Sequence, residues 1–505
     1  NPNPNPNPNP NPNPNPLTNF DFFIDGPIVL IYFCIIFFIG IWLRKYVSNV
    51  EHFLVANRGV DVYLGIASLA ATEFGIATCM ANAELGFKYG LKGIIPGIAL
   101  GGSMLIVGLT GFCIEPLRNM AVITIPELFE RKFGKKIRWA SGLVILVGGL
   151  LNMGLFLRQA GNFLSITMGI GEGYLELLMT VILLFVGCYT VIGGMVSVLV
   201  TDYIQFILMC LGLVSITTVL IYQFGWQSIL DQSTAYLGPD SLNLKLNAVY
   251  TLDRLILDIL VAFASVLTWQ TMISRVLSAK DSSTAKKIYR ATSPYMLMRF
   301  VIPVFLGISA LYFFGPQSYG NGKEILAMPN MIAQLIPVGL IGIVIAAMLA
   351  ADMSTNSSYL IAWSSVIYND LLAPIHKNKW SSKKGLFYNR MIICCIGVFL
   401  LLYGLWYPLS DDLWVYMQVT GTIYLSSMSV LLIACCYFKD ASAFGAGISI
   451  IIGALIPVSY LFLQDLSFSS TLVKNIGPYR FGVLSFLLSA LGMFIGSLIT
   501  KFKSK

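Results

Sequence analysis

The chain has 505 residues, of which 56% are hydrophobic and only 11% charged, with a formal net charge of +8 and a mean hydropathy of +0.77. That balance leaves too little charge to cover a water-soluble surface, so lipid is the solvent for most of the chain. Only two histidines, His52 and His376, are present, and the nine cysteines lack metal-ligand or CxxC spacing. This speaks against a hydrolase or metalloenzyme and reads the thiols as reduced packing residues.

Residues 1–16 are eight copies of Asn-Pro, a tag or low-complexity leader that forms neither helix nor sheet. No cleavable signal is expected after it. A bilayer crossing needs roughly 20 apolar residues, and thirteen segments qualify. They lie near 27–43, 61–86, 93–114, 139–168, 174–192, 196–223, 251–278, 291–314, 336–370, 388–408, 413–438, 442–463 and 479–500. Their length and lack of alternation predict helices, giving an all-α integral membrane protein. Loops after odd-numbered spans and the C-terminus carry most of the basic residues, among them Arg44, Lys45, Arg58, Arg118, Arg131, Lys132, Lys135, Lys136 and Arg138. That side is expected to be cytoplasmic, with the N-terminus outside and the C-terminus inside. The net charge then reflects topology, not a nucleic-acid partner. The expectation is a multi-pass monomer of the cell (plasma or inner) membrane with no appended soluble domain and no organic cofactor.

Ionisable residues at membrane depth are expensive and mark partners or wet cavities. Glu73 and Glu84 fall in the second span, Arg158 in the fourth, Asp202 in the sixth, Arg254 and Asp258 in the seventh, Arg299 in the eighth and Asp352 in the ninth. Structural pairing is the reading for Arg254, Asp258 and Arg299, and a functional one for Glu73, Arg158 and Asp202. In the ninth span, at about 100° per residue, Ala351, Ser354, Thr355 and Ser358 share one stripe, with Asp352 off its edge. Such a stripe suits close helix packing or neutral oxygen ligands for an alkali cation. The second span carries Gly75 and Gly86, where a helix could break and free carbonyls for such an ion; either glycine could equally serve packing.

Five phrases carry a resemblance to a known family: "VEHFLVANRGV", "ITIPELFERKFGKKIR", "TVIGGMVSVLVTDYIQ", "WQTMISRVLSAKDSSTAKK" and "AAMLAADMSTNSS". In this order and topology the chain resembles the sodium:solute symporter family over nearly its whole length after the leader. The resemblance implies a leucine-transporter-type fold with two inverted five-helix repeats and broken helices around a midplane site. The repeats would occupy 61–225 and 250–438, after an extra helix and loop at 17–60 and before two extra helices at 439–505. It implies Na+ as coupling ion, held by carbonyls of Ala71, Phe74 and Ala351 and hydroxyls of Ser354 and Thr355. The family's acid falls on Asp202, which with Thr355 and Ser358 could serve a second ion.

Positions that hold an Asn and a gating Tyr in sugar-carrying members are Ala262 and Ser265 here, which counts against a sugar. The choline-carrying branch is similar around "TWQTMISRVLS" and "ANAELGFKYGL" and would keep Trp269, but two tryptophans of its cage become Glu73 and Gly154. Glu73, Thr78, Arg158, Trp269 and Gln270 are the candidate substrate residues. An arginine for a carboxylate and an acid for an amine suit a zwitterion, or a monocarboxylate on Arg158 alone. The expected function is Na+-coupled import of such a solute. A sugar or choline symporter, a transporter-like sensor and a sodium-independent exchanger are the alternatives; a membrane enzyme ranks last.

Overall fold

Each of the thirteen expected spans falls on helix, because in lipid a spanning backbone must satisfy its own N–H and C=O groups. The computed structural model describes residues 18–319, 322–375, 380–407, 412–464 and 470–503; the Asn-Pro leader, His376 and the last two residues lie outside these. In chain order the principal helices are α1 (Asp25–Leu43), α2 (Val62–Thr72), α3 (Ile76–Tyr89), α4 (Ile95–Thr110), α5 (Lys135–Met153), α6 (Phe156–Met168), α7 (Leu175–Phe224) and α8 (Leu252–Thr268). They continue as α9 (Gln270–Ser278), α10 (Ser282–Phe314), α11 (Leu340–Val366), α12 (Ser382–Trp406), α13 (Leu413–Tyr437), α14 (Ala443–Leu463) and α15 (Ser470–Lys503).

Eleven stretches are long and apolar enough to cross a membrane, against the thirteen expected. The difference lies in how segments are counted: the second half of span two and span three lie in one stretch, Ile76–Thr110, and spans five and six, expected to part at 193–195, are two helical segments that meet at a non-helical Gly194 within the 50 residues of α7. A straight helix of that length would measure about 75 Å, against about 30 Å of hydrocarbon. α7 is not straight, since Gly194 interrupts it with φ +53°. A Cβ there would sit 2.7 Å from the Phe53 carbonyl oxygen, so this bend needs glycine both for its backbone angle and for close approach.

Of the eleven stretches, the least apolar is the most buried. In the stretch containing α11, 89% of the most apolar window is buried, compared with 28% around α1 and 33% in α14. α11 packs along α7, with α2, α3, α5 and α9 also against it. α10 lies on α3 and α4, α13 on α5 and α8, and α14 and α15 pair at the periphery. Three expected helices are broken near mid-length: between α2 and α3, between α5 and α6, and at Trp269 between α8 and α9. These breaks position the site.

Candidate functional site

α2 ends at Thr72, and helix resumes only after Gly75, which has extended backbone (φ −113°, ψ 176°). The carbonyls around the gap are thereby released from regular helical pairing. Ala71 O keeps only irregular contacts, from the Glu73 N–H and, at 3.4 Å, from the Phe74 N–H. Thr355 of α11 reaches into the gap: its hydroxyl lies 2.9 Å from Thr72 O and 3.1 Å from Ala351 O. A Cβ on Gly75 would come within 2.9 Å of Thr355 Oγ1, so glycine lets the two helices touch. Ser354 donates to Asp202 Oδ1 at 2.5 Å. A hydroxyl that donates its proton still presents lone pairs, so Ser354 and Thr355 remain able to accept a cation.

Asp202 and Ser358 do meet, around a guanidinium that sequence reasoning overlooked. Arg275 of α9 is fully buried and donates to Asp202 Oδ2 (3.2 Å), Ser358 Oγ (2.5 Å), Thr72 Oγ1 (2.6 Å), Ser68 Oγ (3.1 Å), Ser274 Oγ (3.0 Å) and Thr271 O (3.3 Å). Ser68 also donates to Asp202 Oδ2 at 2.6 Å. The negative charge of Asp202 is thus already matched within the chain. Arg275 belongs to the "WQTMISRVLS" phrase and lies inside the expected seventh span, so its position alone could have flagged it.

Beside this seam opens a cavity of about 710 Å³, its open mouth included, lined by Glu73, Thr78, Phe156, Asp258, Trp269, Arg299 and Tyr359 among others. Of the candidate substrate residues, Glu73, Thr78 and Trp269 line it. Trp269 donates its indole N–H to Tyr359 at 3.2 Å and stacks on Tyr424 with centroids 5.1 Å apart. Gln270 and Arg158 are not among the lining residues. The Gln270 side-chain amide is buried without a hydrogen bond, and Arg158 donates to Tyr407 O at 3.0 Å. Arg299 and Asp258, read from sequence as structural pairs, do have partners on other helices, Glu73 at 3.5 Å and Gln418 at 2.5 Å, and both also line the cavity. Asp352, off the hydroxyl stripe as expected, accepts from Asn356 Nδ2 at 2.7 Å and lies beside the Ile76 N–H at the start of α3.

Among the described residues no cluster of His, Cys, Asp and Glu could hold a metal ion. The chemistry on offer is therefore hydroxyl and carbonyl oxygen at the seam and an ionic, aromatic cavity beside it.

Comparison with known proteins supplies the rest. The rabbit (Oryctolagus cuniculus) sodium/glucose cotransporter 1 is 23% identical over 94% of this chain and 79% of its own. A high-affinity choline transporter 1 of Drosophila melanogaster is 23% identical over 85% and 70%. In structure the chain is similar to a substrate-bound, outward-open Na+-coupled sialic acid symporter, with TM-score 0.81, 19% identity and coverage of 95% and 98%. It is also similar to the nucleobase-cation-symport-1 family transporter Mhp1 in a closed conformation, with TM-score 0.56, 13% identity and coverage of 90% and 96%. These likenesses show a leucine-transporter-like fold. The pattern of the Sodium:solute symporter family matches residues 53–453. The chain therefore belongs to the sodium:solute symporter family, and is a multi-pass membrane transporter, not an enzyme.

Proposed function

We propose that the protein imports a small organic solute, carboxylate-bearing or zwitterionic, together with Na+, by alternating access. The chain would cross the membrane thirteen times with the N-terminus outside, its halves 61–225 and 250–438 forming the two repeats. Na+ would bind carbonyls of Ala71, Phe74 and Ala351 and hydroxyls of Ser354 and Thr355. Asp202 and Ser358 remain candidates for a second ion, which would have to share them with Arg275.

The observation that carries this reading is the contact of Thr355 with Thr72 O across the break between α2 and α3. An ion at that point ties two helices that belong to different repeats. Na+ would hold them together and stabilise the outward-open form; solute then binds beside it and closure follows. Low internal Na+ releases both inward. Sodium and solute must raise each other's affinity by the same factor.

Na+-gradient uptake into proteoliposomes tests it, over amino acids, betaines, monocarboxylates and sugars. Ser354→Ala/Thr355→Ala should abolish sodium-driven uptake and leave the protein folded. Uptake indifferent to the Na+ gradient, or unchanged in that double variant, sinks the assignment. A second reading, a quaternary ammonium solute such as the choline relatives are named for, is favoured by the Trp269, Tyr359 and Phe156 rings on the cavity wall and by cation–π attraction. Uptake of choline in the same screen decides it.

A further inference from the structure

Among the described residues, two arginine–carboxylate pairs have both side chains buried, and they differ in how fully they are satisfied. Arg275 and Asp202 are saturated with hydrogen bonds and lie away from the cavity. Arg299 and Glu73 both line the cavity, and their pairing is incomplete. Arg299 Nη1 stands 3.5 Å from Glu73 Oε2, beyond a good hydrogen bond. Among the described residues its Nε has no hydrogen-bond partner, and its remaining contacts are a long one to Met296 Sδ at 3.9 Å and the face of Phe300, 5.4 Å from the ring centroid, neither of which is an oxygen acceptor. Arg299 is only 8% exposed and Glu73 5%. A guanidinium buried to this degree with donors unmade is costly unless something supplies acceptors.

We propose, on the footing of the symport reading above, that the Glu73–Arg299 pair is the substrate's docking point and that the substrate is an amino-acid-like zwitterion. Its carboxylate forks onto Arg299, and its ammonium takes Glu73 Oε2. Glu73 Oε1 is already fixed by Thr271 at 2.7 Å, so the acid offers one oxygen in a set direction. A lone organic cation would meet Arg299, and a lone anion would meet Glu73 and Asp258. Only a molecule carrying both signs leaves each charge matched. Phe156, Trp269 and Tyr359 give the wall that its apolar body would cover. The positive end of α3, the other place a carboxylate could dock, already faces the Asp352 carboxylate. Arg299 itself is held in register by its own backbone, whose carbonyl accepts from Asn82 Nδ2 at 3.1 Å.

The test measures uptake and ligand-induced thermal stabilisation of the full chain with phenylalanine, leucine and proline, each alongside its methyl ester and its decarboxylated amine. Zwitterions should bind and be carried, and both analogues should weaken by roughly 10- to 100-fold, the loss expected of a charged hydrogen bond. Arg299→Gln should lose the preference for the free acid over the ester. Because a single change strands the other charge, the neutral pair Glu73→Gln/Arg299→Gln is included; it should fold, as read by its thermal stability without ligand, but no longer distinguish acid from ester. Equal handling of acid, ester and amine by the wild type overturns the proposal, as does failure of every zwitterion to bind. Sodium-driven uptake of choline or a sugar alone sinks this inference and leaves symport standing. Zwitterion uptake without sodium dependence does the reverse.

Discussion

Asp202 sits at a crowded polar point among buried helices, and its neighbours decide how it behaves. It accepts from Ser68 and Ser354 and pairs with Arg275, with both charged side chains fully buried. Removing one member of such a pair leaves an uncompensated charge, which destabilises far more than the pair itself stabilises. Arg275→Met is therefore expected to lower stability by about 3–5 kcal/mol, while Asp202→Asn/Arg275→Met recovers a substantial part of that loss. Unfolding by denaturing detergent, run as a double-mutant cycle, gives the answer. If the double variant is as damaged as the sum of the singles, the two groups are not coupled. The arginine that faces the cavity is a finer matter than sequence reaches. Arg158 and Arg299 look alike as charges in apolar runs, and only the rotation of α6 and α10 sends one to Tyr407 O and the other to Glu73.

At the scale of elements, each helix break poses the question of who satisfies the freed backbone. At α3 the N-cap Gly75 has no side chain to offer, and the Asp352 carboxylate lies beside the Ile76 N–H while accepting from Asn356 Nδ2 at 2.7 Å. Asp352→Ala removes that acceptor and strands Asn356, and should cost about 1–2 kcal/mol. Asp352→Asn keeps an oxygen in place and should cost well under half as much. Equal damage from the two would mean that charge, not capping, is what matters; the same detergent titration reads both. At Trp269 a single hydroxyl serves both sides of the gap: Tyr424 donates to Thr268 O at 3.1 Å and accepts from the Gln270 N–H at 3.1 Å. This contrast explains which breaks were legible. Gly75 marks the first in the sequence itself, whereas Trp269 is an ordinary residue whose ψ of 117° is held by a tyrosine more than a hundred positions away. Helix content followed from hydropathy alone. The parting of spans five and six was legible too, since Gly194 falls in the gap between them; hydropathy does not record the backbone angle that turns the chain there.

For the whole molecule, two of the phrases that carried the family resemblance converge on one face. The segment before α2 and the end of α9 pair through Val60 and Ala279, with Val60 N–H to Ser278 O at 3.1 Å and Lys280 N–H to Val60 O at 2.9 Å. Residues 56–58 adopt three successive left-handed conformations (φ 49°, 52° and 54°), a strain of about 1–2 kcal/mol per residue. What that turn achieves is the aim of Arg58, whose guanidinium donates to Ala121 O at 2.8 Å, Val122 O at 3.0 Å and Leu277 O at 3.3 Å. Arg118 adds bonds to Ala279 O and Lys280 O. Carbonyls from separate segments are thus gathered by two arginines on the side proposed to be cytoplasmic, and the solute must leave there. Arg58→Ala should bias the protein toward opening at this face, since the strained turn then holds nothing. Ser278 is buried at the join, and its hydroxyl has no partner. In a background freed of native cysteines, Ser278→Cys should react slowly with a membrane-impermeant thiol reagent applied from the cytoplasmic side, and several-fold faster once Arg58→Ala is added. No acceleration would show that the arginine does not hold this face shut. Reaction from the opposite side would overturn the proposed orientation.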